Sequence, residues 1–141
     1  MFYKMIENAC RSWYQSDDCT VKDLISYIET TGQMRDAQIE AIKTYLFLKI
    51  KCNCDPLEKL FFEGRFNSID LDEVELSSSA RDYLKQNAAA AGLFEYSRIK
   101  NDTGEQVSEK LEQLIKSSPE SINYKSFFHD AFYKVSYLPF L

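Results

Sequence analysis

At 141 residues, with 45% hydrophobic and 14% aromatic content, the chain has enough apolar material for one folded core and is not a disordered segment. Its formal charge of -5 argues against a surface built throughout for nucleic acid, because phosphate neutralisation needs clustered Lys and Arg. No apolar run is long enough for a signal peptide or a membrane span, so a cytoplasmic protein without membrane association is expected.

Residues 2–15 place Phe2, Ile6, Ala9 and Trp13 at three- and four-residue spacing, the stripe of an amphipathic helix. Ser16-Asp17-Asp18 ends it. Thr20 then precedes Val21, Leu24, Ile25 and Ile28, a short helix that stops at Gly32. The third helix, 34–51, is apolar on two faces: Met34, Ala37, Ala41, Tyr45 and Leu48 form one, and Ile39, Ile42, Leu46 and Ile50 the other. Its polar arc holds Asp36, Glu40, Lys43, Thr44 and Lys51, interrupted by Phe47. Such a helix is expected at the centre of the domain. Gln38 and Lys49 project between its apolar faces, with Arg35 one turn before the glutamine.

Asp55-Pro56 opens a helix through Leu57, Leu60 and Phe61 that closes at Gly64. Ser68 to Leu76 alternates apolar and acidic residues and reads mostly as loop. Ser77, Ser78 and Ser79 offer N-caps for a helix through Ala80, Tyr83 and Leu84, continuing past Ala88–Ala91 toward Tyr96, with Gly92 as the point of any split. A turn at 100–104, a helix marked by Val107, Leu111, Leu114 and Ile115, and a linker at 117–121 lead to a last helix, 124–134, with Phe127, Phe128, Ala131 and Phe132. The pattern predicts an all-α fold, one domain over 1–141, as a single compact bundle of about six or seven helices.

Little in the chain supports catalysis. The four glycines are scattered, and no Gly-x-x-x-x-Gly-Lys-Ser/Thr phosphate loop occurs. Cys10, Cys19, Cys52 and Cys54 lack the paired spacing of a zinc site and read as reduced thiols, so no metal is expected. His129 is the one histidine, which excludes a multi-histidine site. The carboxylates Asp70, Asp72, Glu73 and Glu75 read as a solvated face or as an acidic surface met by a basic partner.

Met34-Arg-Asp-Ala-Gln38-Ile-Glu-Ala-Ile42, running on through Lys43-Thr-Tyr-Leu-Phe-Leu-Lys-Ile50, resembles the glutamine-bearing segment that opens superfamily-2 helicase-like ATPases, especially the type III restriction-type group. Phe128-His-Asp-Ala-Phe132-Tyr-Lys-Val-Ser-Tyr137 is similar to the aromatic-rich helix that leads there to the first core strand. The resemblance implies a helical accessory or regulatory domain of a helicase-like DNA translocase, with Arg35 and Gln38 as nucleotide-binding residues. The catalytic core is absent. By the same resemblance the chain is no enzyme and holds no cofactor of its own; its partner is the ATPase core, and DNA is reached through that core. Gln38 suits adenine, since its amide offers one acceptor and two donors, but the same amide also suits backbone groups at a helix start. The alternative is a standalone protein-interaction module, an adaptor or inhibitor, docking through aromatic residues of the C-terminal helix. A small hydrolase lacks a nameable set of nucleophile, base and oxyanion donor.

Overall fold

The periodic segments become helices where the sequence places them. The structure, a computed structural model, describes residues 2–136, with side chains described to Phe132. Eight α-helices lie among the described residues: α1 (Phe2–Gln15), α2 (Lys22–Thr31), α3 (Asp36–Leu46), α4 (Leu57–Phe62), α5 (Ser78–Gln86), α6 (Ala88–Arg98), α7 (Glu109–Ser117) and α8 (Tyr124–Ser136). A π-helical turn, Phe47–Lys51, extends α3, and a 3-10 turn, Pro119–Ser121, precedes α8. The β pairing among the described residues is a lone antiparallel bridge between Lys100 and Gln106. The fold is all-α, with one or two helices more than the periodicity suggested.

The helices group into two compact units, residues 3–55 and residues 56 onward together with Phe2. In the first, Met5, Cys10 and Trp13 of α1, Cys19 in the turn after it, Ile25 of α2, Ile39 of α3, and Phe47 and Cys52 beyond it form the buried set. Gly32, at φ +66°, closes α2 in the left-handed conformation that glycine adopts without steric cost. The stretch 34–51 is not central to this unit. Of its residues only Ile39 and Phe47 are buried, and Phe47, which seemed to interrupt a polar arc, is the deeper of the two. The reason is Trp13, whose indole lies 5.7 Å from the Phe47 ring and draws that side of the helix inward.

The central helix of the second unit is α6. Ala89, Ala90, Ala91, Gly92, Leu93, Phe94 and Ser97 are all buried, and α4, α5, α7 and α8 pack around them. Small side chains allow that crowding. The expected split at Gly92 falls instead at Asn87, which ends α5 and caps α6 by accepting the Ala90 N–H at Oδ1, 3.1 Å away. Ser77 and Ser108 cap α5 and α7 in the same manner. Asp55 does not act as a cap, since α4 begins at Leu57 without a side-chain cap. Leu60, Phe61 and Phe66 meet Phe94, Ile115 and Phe128 as the apolar core, with Phe61 stacked 5.0 Å from Phe132.

Candidate functional site

The residues expected at a nucleotide site stand at the head of α3. Arg35 is extended, and its main-chain N–H donates to Gln38 Oε1 at 2.9 Å. The return bonds come from the Arg35 carbonyl, which accepts the N–H groups of Gln38 at 2.9 Å and Ile39 at 3.0 Å. An arginine side chain has no acceptor, so the carbonyl supplies the second half of this capping arrangement. Gln38 thus satisfies a backbone donor at the start of its own helix. Both side chains are exposed, and neither is enclosed between buried apolar neighbours as the two-faced pattern had suggested.

What the head of α3 leads into is an apolar face turned to solvent. Met34 is 42% exposed and Tyr45 59%, and Ala37 and Ala41 between them are exposed as well. At 100° per residue Ala37, Ala41 and Tyr45 share one side of the helix, with Gln38 along its margin and Met34 just before the first turn. Leu24 and Tyr27 of α2, at 49% and 68%, add exposed apolar surface to the same unit. Lys49 lies over the Tyr45 ring, its ammonium 5.6 Å from the centroid and 3.3 Å from the phenol oxygen. Folding left this side of α3 without a partner because α1 and α2 took the other.

On the covered side a groove of about 420 Å³ runs between α1 and α3, with Cys10 and Tyr14 opposite Glu40, Lys43 and Thr44. The Tyr14 hydroxyl donates to the Lys43 carbonyl at 3.2 Å, and the Lys43 ammonium reaches Glu29 at 3.0 Å. Glu29 beside it holds the Lys43 ammonium above the usual lysine range. Burial, with a smaller contribution from Glu40, pushes the Cys10 thiol up to about 11. A thiol so shifted is almost wholly protonated at neutral pH, the opposite of an activated nucleophile.

The remaining candidates have structural partners. His129 Nδ1 meets both Glu58 oxygens, at 3.0 and 3.1 Å, within the second unit, whereas all four cysteines belong to the first. Among the described residues no group of three His, Cys, Asp or Glu side chains is placed to hold a metal. Among the described aromatic side chains of α8, Phe128 is fully buried and Phe127 and Phe132 are half-buried, so these three are not the freely exposed set that docking through that helix calls for. Residues 137–141, where the resemblance at the C-terminus continues, lie outside the described residues.

The exposed apolar side of α3 was legible in part, since Ala37, Ala41 and Tyr45 had been grouped with Met34 as one apolar side. Its outward direction was not. No family model, curated protein or solved structure matches this chain, so the helicase-like resemblance rests on the residues quoted above.

Proposed function

We propose that this chain is a non-catalytic helical interaction module that docks a partner protein through the outward side of α3. The observation that carries the reading is the exposed run Met34, Ala37, Ala41 and Tyr45. Two bulky side chains flank two small ones, so a partner helix can lie close to the α3 backbone at the alanines and be gripped at both ends. Removing this surface from water would return some of the apolar stabilisation that the isolated unit forgoes.

The non-catalytic part of the reading rests on described side chains and on the sequence. Cys10 is held protonated, His129 is engaged by Glu58, and the sequence offers no loop to hold phosphates in line.

The accessory-domain reading names the partner as a helicase-like ATPase core. It is favoured by one observation: Arg35 and Gln38, the residues the resemblance assigns to nucleotide, stand exposed at the head of the same face. A core docked on α3 would bring its nucleotide to them.

A photoreactive phenylalanine analogue at Tyr45 tests the reading in the native cell. One abundant cross-linked protein, lost on Ala41→Glu and kept on Lys110→Glu, is the expected result. Equal labelling from positions 45 and 110 would overturn it, and a cross-linked protein without an ATPase core would leave the interaction module standing while removing the helicase reading.

A further inference from the structure

The apolar run on α3 is bordered by charge of one sign. The stretch 34–51 holds Arg35, Lys43, Lys49 and Lys51 as its cations, and two of them are neutralised within the unit: Lys43 meets Glu29 at 3.0 Å, and Lys51 meets Asp18 at 2.6 Å. The other two stand at the ends of the run. Arg35 lies between Met34 and the first turn of α3, and the Lys49 ammonium lies 5.6 Å from the centre of the Tyr45 ring. Both side chains are exposed, and among the described residues neither is paired with a carboxylate.

The carboxylates of the same helix are directed elsewhere. Glu40 turns to Lys43 at 3.6 Å, and Asp36 lies about 140° around the helix from Ala41. Gln38 adds donors rather than acceptors at the margin. Its Oε1 is taken by the Arg35 N–H, which leaves the two N–H groups of its amide for a partner.

The spacing of the cations fixes the shape of what can meet both. At 1.5 Å per residue Arg35 and Lys49 stand roughly 20 Å apart along the helix, so a partner must run beside α3 over its whole length. Two helices crossing at about 20° keep contact over that distance, and Ala37 and Ala41 let the backbones approach. A nucleic acid would satisfy the cations but would leave Met34 and Tyr45 without an apolar partner.

We infer that the partner laid on α3 is an amphipathic helix with acidic residues along one margin of its apolar stripe, two of them about two heptads apart. Their carboxylates meet Arg35 and Lys49, and its small or aliphatic side chains cover Ala37 and Ala41. Charge complementarity excludes a helix with a basic margin, because Arg35 and Lys49 have no carboxylate of their own to shield them. This inference rests on the α3 reading and adds to it the charge and shape of the partner.

The test uses the full chain at physiological ionic strength and a fluorescein-labelled peptide of three heptads, each Ala-Gln-Leu-Glu-Gln-Ala-Leu, followed by anisotropy and by amide chemical shifts. Saturable binding is expected, with shifts clustered at 34–49 and with loss on Ala41→Gln, which adds uncharged bulk where the backbones meet. Lys in place of every Glu should weaken binding at least about tenfold. The double variant Arg35→Gln, Lys49→Gln should lose that preference for the Glu peptide. Its circular dichroism spectrum should be unchanged, because both side chains are exposed and Arg35 caps α3 through its main chain. Equal binding of the Glu and Lys peptides, lost on Ala41→Gln, would overturn the inference and leave the α3 reading standing. A preference for Glu that survives in the double variant would overturn it as well, as would a fluorescein-labelled DNA duplex that binds the parent and not the double variant. Absence of binding by both peptides would also overturn it, while the cross-link from Tyr45 decides the α3 reading separately.

Discussion

Asn67 lies against Gly92 so closely that a β-carbon at position 92 would stand 2.7 Å from Asn67 Oδ1. That oxygen is buried and has no hydrogen-bond partner, while the amide nitrogen of the same side chain is fixed on the Ala88 carbonyl. The loop that follows α4 thus reaches α6 through a gap that only a missing side chain leaves open.

Gly92→Ala should therefore destabilise the second unit, although alanine is the better helix former by about 1 kcal/mol. Overpacking of this kind costs about 1–3 kcal/mol, and Asn67 cannot swing aside without losing its bond to Ala88. In an Asn67→Ala background the sign should reverse, with Gly92→Ala stabilising by roughly the helix-propensity gain. Denaturant unfolding of the four proteins of this cycle checks both statements.

Phe128 and Tyr45 should behave in opposite ways. Phe128 is fully buried, so Phe128→Ala is expected to cost about 3–5 kcal/mol. Tyr45→Asp should change stability by no more than about 0.5 kcal/mol, because the ring is mostly in solvent and a carboxylate there stays hydrated. A central position for 34–51 would instead have made the Tyr45 change unfold the protein. Thermal midpoints of the two variants decide the matter.

Glu95 should make the stability of the second unit depend on pH. Burial pushes its carboxyl above the usual range, against the opposing effect of N–H donors from Ser68 and Ile69. A folded pKa above the unfolded one means that the contribution is fully present below the unfolded value and is lost as pH rises through the folded value. Glu95→Gln keeps an acceptor for the Ser68 N–H and removes the charge, so it should be at least as stable as the parent at neutral pH. Its stability should also vary less between mildly acid and neutral conditions, measured by denaturant midpoints across that range.

Gln38→Ala should cost about 0.5–1.5 kcal/mol, the net worth of the bond it makes to the Arg35 N–H. The same substitution should leave calorimetric titrations of ATP into this chain unchanged, both being flat. ATP binding by the parent that disappears in the variant would instead give Gln38 the nucleotide role that the resemblance implies.

The positions of the helices were legible in the residue pattern because helix formation is local. Three- and four-residue apolar spacing marked α1, α2, α7 and α8, and Ser77 and Gly32 sit where caps and stops belong. The loop character of 68–76 was equally local. At the site, Ala37, Ala41 and Tyr45 could be grouped on one side of α3 from their spacing alone, whereas Met34, grouped with them, stands before the helix, and the pairing of Gln38 with backbone at the helix start suited its place three residues beyond Arg35.

Tertiary structure decided which side of α3 faces inward, and it took neither apolar face whole: Ile39 of one face and Phe47 of the polar arc are the buried pair. Trp13 made the choice by packing on Phe47, a contact between residues 34 positions apart that no local spacing encodes. The central place of α6 was hidden for a related reason. A run of alanines reads as helix propensity, whereas its value in the fold is the close approach it gives to four neighbouring helices. The seating of Asn67 on α6 is likewise a product of folding, since its side chain fits where Gly92 has none and bonds to the Ala88 carbonyl.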